Sequence, residues 1–149
     1  WSLQPFLDDG HSTFAEGSPN RIKQMQMMNG TEAAYALAKK YKIKTAWGTD
    51  ILFSATAAAQ QNSNLLKLTR WYSNAQILKM ATGDNGELLG LSGLRSPYPG
   101  KLGVVQEGAL ADLLLVQGNP LDNIQLIETP ATSFVVIMKD GKVYKNTLK

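Results

Sequence analysis

Seven residues, Lys44-Thr45-Ala46-Trp47-Gly48-Thr49-Asp50, constrain the fold of this chain more than any other stretch. They form a short apolar run that ends in Gly-Thr-Asp and opens into a loop over 51–64. Strand alternation sets Ala46, Gly48 and Asp50 on one face and Thr45, Trp47 and Thr49 on the other. The first face is nearly bare and ends in a carboxylate, while the second carries bulk to pack against helices. An inward-pointing carboxylate at the C-terminal mouth of a parallel strand is where α/β barrels place their chemistry. A carboxylate that merely ends a strand and caps the next segment is the plainer alternative, and these seven residues alone favour it.

The neighbouring pattern places that strand in a larger unit. Residues 1–7 read as a short strand closed by Pro5, leading into a loop with Asp8, Asp9 and His11. Asp8 and Asp9 come directly after a strand and are candidates to border a substrate, though a solvated turn explains them as well. Ser18-Pro19-Asn20 reads as a helix start, with Asn20 as the cap. Ile22, Met25, Met28, Ala33, Ala34, Leu37, Ala38 and Tyr41 then recur at helical spacing. Gly30 either divides this pattern into two helices, with Thr31 capping the second, or sits inside one long helix. Strand, helix and strand in this order make a βαβ unit with parallel strands.

Beyond Asp50 the segment to Gln61 lacks clear periodicity and reads as a loop with at most a short turn. Asn64 is a cap candidate for a helix with Leu65, Leu66, Leu68, Trp71 and Tyr72. Ser73-Asn74-Ala75-Gln76 has the form of a capping box. The stretch 83–86, Gly-Asp-Asn-Gly, weakens the helix begun there before Glu87-Leu88-Leu89 resumes it. From Ser92 the composition shifts towards turns and short apolar runs, 102–105 and 111–116. Asp140-Gly141 between 134–138 and 142–144 is a hairpin signal, because both residues tolerate positive φ. The tail is thus a small β unit attached to an α/β unit, and 113–116 and 134–138 are expected to lie in one small sheet.

Composition narrows the partners. A net charge of +3 is small and the basic residues are scattered, except for Lys39, Lys40, Lys42 and Lys44 around an expected helix end, where the helix dipole favours them, so nothing points to nucleic acid. No apolar run approaches membrane-spanning length. There is no cysteine, which excludes thiolate metal sites and disulfides, and His11 is the only histidine. The chain starts at Trp1 on what reads as the tail of a strand, so further sequence is expected upstream.

Taken in order, several segments carry a resemblance. They are Gly48-Thr49-Asp50, Ala81-Thr82, Gly100-Lys101-Leu102-Gly103-Val104-Val105, the run from Glu107 to Val116 containing Gly108-Ala109-Leu110-Ala111-Asp112-Leu113, Gly118-Asn119-Pro120-Leu121, and Met138-Lys139-Asp140-Gly141-Lys142-Val143-Tyr144. Together they resemble the C-terminal portion of the metal-dependent amidohydrolase superfamily, in its imidazolonepropionase-like and prolidase-like branch. The resemblance implies a distorted (β/α)8 barrel with a small β-sandwich. It makes 1–7 and 43–50 the seventh and eighth barrel strands, 65–91 the closing helices and 100–149 half of the sandwich. The implied division is 1–95 for the partial barrel and 96–149 for the sandwich portion. The implied activity is hydrolysis of C–N bonds, amide or cyclic amide, in a small-molecule or dipeptide-like substrate. Asp50 matches the family's aspartate beside a divalent metal, zinc by the resemblance, where it takes a proton from the metal-bound water and returns it to the leaving nitrogen.

The family's remaining metal ligands, a His-x-His pair on the first strand, a lysine or glutamate on the fourth and histidines on the fifth and sixth, have no counterpart here. One histidine and one aspartate do not make a metal site, and two strands do not close a barrel. The chain therefore reads as the C-terminal third of an amidohydrolase, inactive and metal-free by itself and expected to associate with copies of itself. The alternative is a non-catalytic self-associating module, or a metal-free scaffold of the same fold.

Overall fold

The computed structural model describes residues 14–51 and 54–148. The strand expected at 1–7 and the loop carrying Asp8, Asp9 and His11 lie outside the described residues.

Helix α1, Pro19–Lys40, is a single helix of 22 residues. Its cap is Ser18 rather than Asn20: the Ser18 hydroxyl accepts from the Arg21 N–H at 3.2 Å. Pro19 explains the shift, since its fixed φ and missing N–H suit the first helical position and leave the preceding residue to cap. Gly30 is carried inside the helix, with open space where a Cβ would stand. Thr31, no longer needed as a cap, donates its hydroxyl to the Met27 carbonyl.

The helix ends in a Schellman motif. Ile43 N–H donates to the Ala38 carbonyl at 2.8 Å and Lys42 N–H to the Lys39 carbonyl at 3.2 Å. Lys39 and Lys40 sit in the last turn, where the helix dipole favours cations. Lys42 occupies the left-handed position, at φ 52°, that glycine fills at no steric cost. Lys42→Gly should therefore stabilise the chain by about 0.5–1 kcal/mol, the relief of the left-handed strain less the added chain entropy of glycine. Denaturant midpoints measure this, and a lower midpoint for the variant contradicts it.

Residues 43–51 belong to no strand and join no sheet among the described residues. The expected strand 43–49, and with it the βαβ unit, is not formed there. A ladder needs a neighbouring strand, and the candidate neighbour at 1–7 lies outside the described residues.

The expected loop after Asp50 is instead largely helical. Helix α2, Ala55–Ala59, is capped by Ser54, whose hydroxyl accepts from the Ala57 N–H at 3.1 Å. Helix α3, Gln61–Leu66, comes directly after it and contains Asn64 in its body instead of at its start. A 3-10 turn, Lys67–Arg70, continues it. Helix α4, Asn74–Lys79, has the full capping box of Ser73 and Gln76. The chain then widens into a π-turn, Met80–Asp84, and resumes as α5, Asn85–Gly90.

Leu65, Leu66, Leu68, Ile77, Met80 and Ile124 form the buried apolar cluster, with Ile77 wholly enclosed. Five of them come from the stretch 61–84, Leu65, Leu66 and Ile77 from α-helix and Leu68 and Met80 from the 3-10 and π turns, and one, Ile124, from a 3-10 turn in the tail, Ile124–Ile127. Two amides tie that turn and the residues before it to the helices: Asn62 donates to the Ile127 carbonyl and Asn74 to the Leu121 carbonyl, both at 2.9 Å.

The tail holds β1, Leu113–Val116, a short helix α6, Pro130–Ser133, then β2, Phe134–Lys139, and β3, Lys142–Asn146. They form one antiparallel sheet in the order β1-β2-β3, with Leu114 opposite Ile137 and Lys139 opposite Lys142. The expected pairing of 113–116 with 134–138 is therefore present. Asp140 and Gly141 make the two-residue turn, with φ of 50° and 73°, the primed geometry that matches strand twist. Asp112 completes it: its Oδ1 accepts from the Asp140 N–H at 2.7 Å, and the Ala111 carbonyl accepts from Gly141. The aspartate of the Ala-Asp-Leu run thus secures the hairpin that lies 28 residues further on.

Candidate functional site

Asp50 is exposed and stands in the left-handed region, at φ 51°. Aspartate and asparagine tolerate this conformation better than most residues, because a short polar side chain can bond locally.

The backbone leading to Asp50 is held from one side by the helix formed by α4, the π-turn and α5. Trp47 N–H donates to Asn85 Oδ1 at 2.9 Å, and Asn85 Nδ2 donates to the Trp47 carbonyl at 2.9 Å. Three residues earlier, the Lys44 ammonium pairs with the Glu87 carboxylate. That hydrogen bond, then the Glu87 charge and more weakly Asp84, hold the Lys44 pKa above its ordinary value. Asp84, whose side chain is only 8% exposed, is paired with Lys79 at 2.6 Å.

The Trp47 side chain packs on the buried cluster. Beside it, α1 meets the 64–72 region through an aromatic group. Tyr35 stacks on Trp71 with ring centroids 4.4 Å apart and meets Tyr72 edge-on at 5.6 Å. Both geometries are favourable for aromatic quadrupoles. Glu32 accepts from the Trp71 indole N–H at 2.6 Å, and its other oxygen lies 2.6 Å from Arg70 Nε as an ion pair without hydrogen-bond alignment. Burial, with Tyr72 adding to it, pushes the Tyr35 phenol up, so Tyr35 is neutral at physiological pH.

Between these elements lies a cleft of about 530 Å³, lined by Met27, Tyr35, Trp47, Gly48, Lys67 and Trp71 among others. Ala46 and Thr49 also line it, so both sides of the 45–49 segment contribute to its wall. Asp50 is not part of that lining. It follows Thr49 in the chain and is exposed to solvent.

Among the described residues no three histidines, cysteines, aspartates or glutamates come together. Asp50 alone does not fit a divalent ion, which takes four or more ligands in a stable site. His11, Asp8 and Asp9 lie outside the described residues. No helix is long and apolar enough to cross a membrane among the described residues.

Motifs single out Asp50 and pass over Asn85. The stretch 83–86, Gly-Asp-Asn-Gly, reads as a weak point in a helix, and nothing in that polar run marks Asn85 as a partner for Trp47.

No protein-family model matches the sequence, and no curated protein matches it. Solved structures do. A crystal structure of an amidohydrolase is 28% identical and superposes with a TM-score of 0.71 over 89% of this chain. A prolidase complexed with N-methylphosphonate-L-proline is 22% identical, with a TM-score of 0.69 over 88% of the chain. An A. niger ochratoxinase is 22% identical, with a TM-score of 0.71 over 89% of the chain. The chain spans 30%, 30% and 28% of those three proteins, respectively. It has the fold of a segment of the amidohydrolase superfamily.

Proposed function

We propose that this chain is the part of a C–N bond hydrolase that supplies its catalytic carboxylate, Asp50. The single observation behind this reading is where Asp50 stands. It ends the Gly48-Thr49-Asp50 run at a left-handed turn, on a backbone clamped to a helix, within an amidohydrolase fold. In the proposed reaction this exposed carboxylate accepts a proton from an attacking water and returns it to a departing nitrogen. The proposed substrate is a small amide or cyclic amide, dipeptide-like in size. The described residues bring no metal-ligand set together, so in a full-length protein a divalent metal, zinc by resemblance, would lie beside Asp50 and take further ligands from other parts of the molecule.

The test is hydrolysis by a full-length protein carrying this segment. It should cleave members of a panel of N-acylated amino acids and dipeptides, releasing amine and carboxylate in equal amounts. Loss of cleavage after dialysis against a chelator, and its return with zinc, is the expected metal dependence. A full-length protein that folds, binds zinc and cleaves no C–N bond across the panel argues against the reading. The 149-residue chain alone should retain no stoichiometric zinc after dialysis, as measured by elemental analysis. Tightly bound zinc at one per chain would mean that a ligand set exists within these residues.

A further inference from the structure

We infer that Asn85 is a positioning residue, whose side-chain amide stands in for a neighbouring strand and fixes the backbone that presents Asp50. The structural half of this inference rests on geometry alone. Its functional half rests on the reading of Asp50 as the catalytic carboxylate.

A backbone residue in a ladder offers one donor and one acceptor to its neighbour. A carboxamide carries the same two functions side by side. Asn85 applies both to one residue, accepting from the Trp47 N–H and donating to the Trp47 carbonyl, each at 2.9 Å. The two polar groups of Trp47 also fix which end of the amide is oxygen and which is nitrogen, so the orientation is not arbitrary. Trp47 precedes Asp50 by three residues, a reach of at most about 11 Å of chain. Anchoring position 47 therefore limits where the carboxylate can go.

Two features of the helix aim Asn85 at Trp47 and keep it there. The first is the π-turn, Met80–Asp84, which ends immediately before Asn85. A π-turn holds about one more residue than an α-turn, so it rotates everything after it by roughly 100° relative to an uninterrupted helix. In a plain α-helix residue 85 would face elsewhere. The second is a close crossing of backbones on both sides of Asn85. A Cβ on Gly86 would lie 2.3 Å from the Leu102 carbonyl oxygen, and one on Gly103, at φ 73°, would lie 2.2 Å from the Thr82 carbonyl oxygen. Only glycine allows those approaches, and they fix the helix against the 102–103 loop. The Lys44–Glu87 pair is exposed on both sides and contributes little to holding the segment, so the clamp is the amide.

Hydrogen exchange on the 149-residue chain tests the structural half. Asn85→Ala should speed exchange at the Trp47 amide by about tenfold or more, the usual consequence of losing one such bond. Amides in α1 and β2 should be unaffected. Asn85→Asp is isosteric, keeps an acceptor for the Trp47 N–H and lacks the donor for its carbonyl, so its effect should be intermediate. It also carries the comparison should Asn85→Ala not fold. Unchanged Trp47 exchange in the folded variants overturns the positioning role.

Kinetics of the full-length protein test the functional half. Asn85→Ala should lower kcat about 100-fold through misplacement of the carboxylate, with KM within about threefold, and Asn85→Asp should recover part of the loss. Faster Trp47 exchange with unchanged kcat overturns the functional half when Asp50→Asn abolishes turnover. If Asp50→Asn also retains turnover, the catalytic reading of Asp50 is what fails, and the clamp on Trp47 stands.

Discussion

Asp50→Asn should lower the turnover of a full-length protein carrying this segment by about 100-fold or more while leaving its fold intact. The substitution is chosen for its conformation as well as its chemistry. Asp50 stands at φ 51°, and asparagine occupies that region as readily as aspartate. The two side chains have the same size and shape, so the turn into the 54–66 helices should survive. The difference between them is proton affinity. A carboxylate accepts a proton from water, whereas a carboxamide does not do so at neutral pH, and removal of a general base costs about 10²–10⁴ in rate. Asp50→Gly separates chemistry from strain: it removes the carboxylate and relieves the positive φ, so it should be as inactive as Asp50→Asn and slightly more stable. The measurements are kcat and KM for the three proteins, with circular dichroism melts alongside. Turnover within about tenfold of the parent in a folded Asp50→Asn protein would remove Asp50 from the reaction. A melt lowered by several degrees would mean that its carboxylate has a structural role.

How far the sequence reveals this fold depends on how local each interaction is. The Asp140-Gly141 turn is legible because its requirement, two successive positive φ values, is met by two adjacent residues. The Ser73-Gln76 capping box is legible for the same reason, as all its partners lie within four residues. Helix α2 is not. Its Ala-rich residues carry helix propensity but no apolar period, and Ser54 gives the only start signal. At the start of α1, Ser18 and Asn20 are both good capping types, and only the placing of Pro19 as the first helical residue decides for Ser18. The segment 43–49 marks the limit. Its alternation is a local pattern, but a strand also needs a ladder, and ladder partners are not encoded in the seven residues themselves. The described backbone meets a side chain, Asn85, in place of a strand. That contact spans 38 residues and depends on a π-turn, which leaves no periodic signature. For the candidate site, Gly48-Thr49-Asp50 and the likeness of later segments single out Asp50 as the proposed carboxylate, whereas no sequence pattern singles out the group that holds the backbone before it.

Association is the second large expected effect: purified at about 10 μM, the 149-residue chain should scatter light as a species of at least twice its 16.2 kDa mass. The described residues bury only seven apolar side chains, fewer than a chain of this length needs to stand alone as a compact domain. The sheet shows where cover is lacking. Its order β1-β2-β3 leaves one side of β1 and one side of β3 without a ladder partner among the described residues. The two edges differ in kind. Edge strand β3 carries Lys142 and Lys145, the sort of charge that blocks pairing with another chain. Edge strand β1, Leu-Leu-Leu-Val, carries none, and Leu114 and Leu115 are 54% and 49% exposed on opposite faces. A second copy meeting β1 edge to edge satisfies its open backbone groups and covers those leucines together. Each leucine that goes from half exposed to covered contributes on the order of 1 kcal/mol, and the paired backbone sets the register. Leu114→Lys places a charge on that edge and should shift the chain towards the monomer, whereas Val143→Lys on β3 should leave its mass unchanged. An oligomer indifferent to Leu114→Lys would place the contact elsewhere, with the backbone around 43–50 the next surface to probe. A parent chain that scatters as a monomer and unfolds in one cooperative step would show that these residues close their own core, and the reading of the chain as an open segment of a larger barrel would then fail.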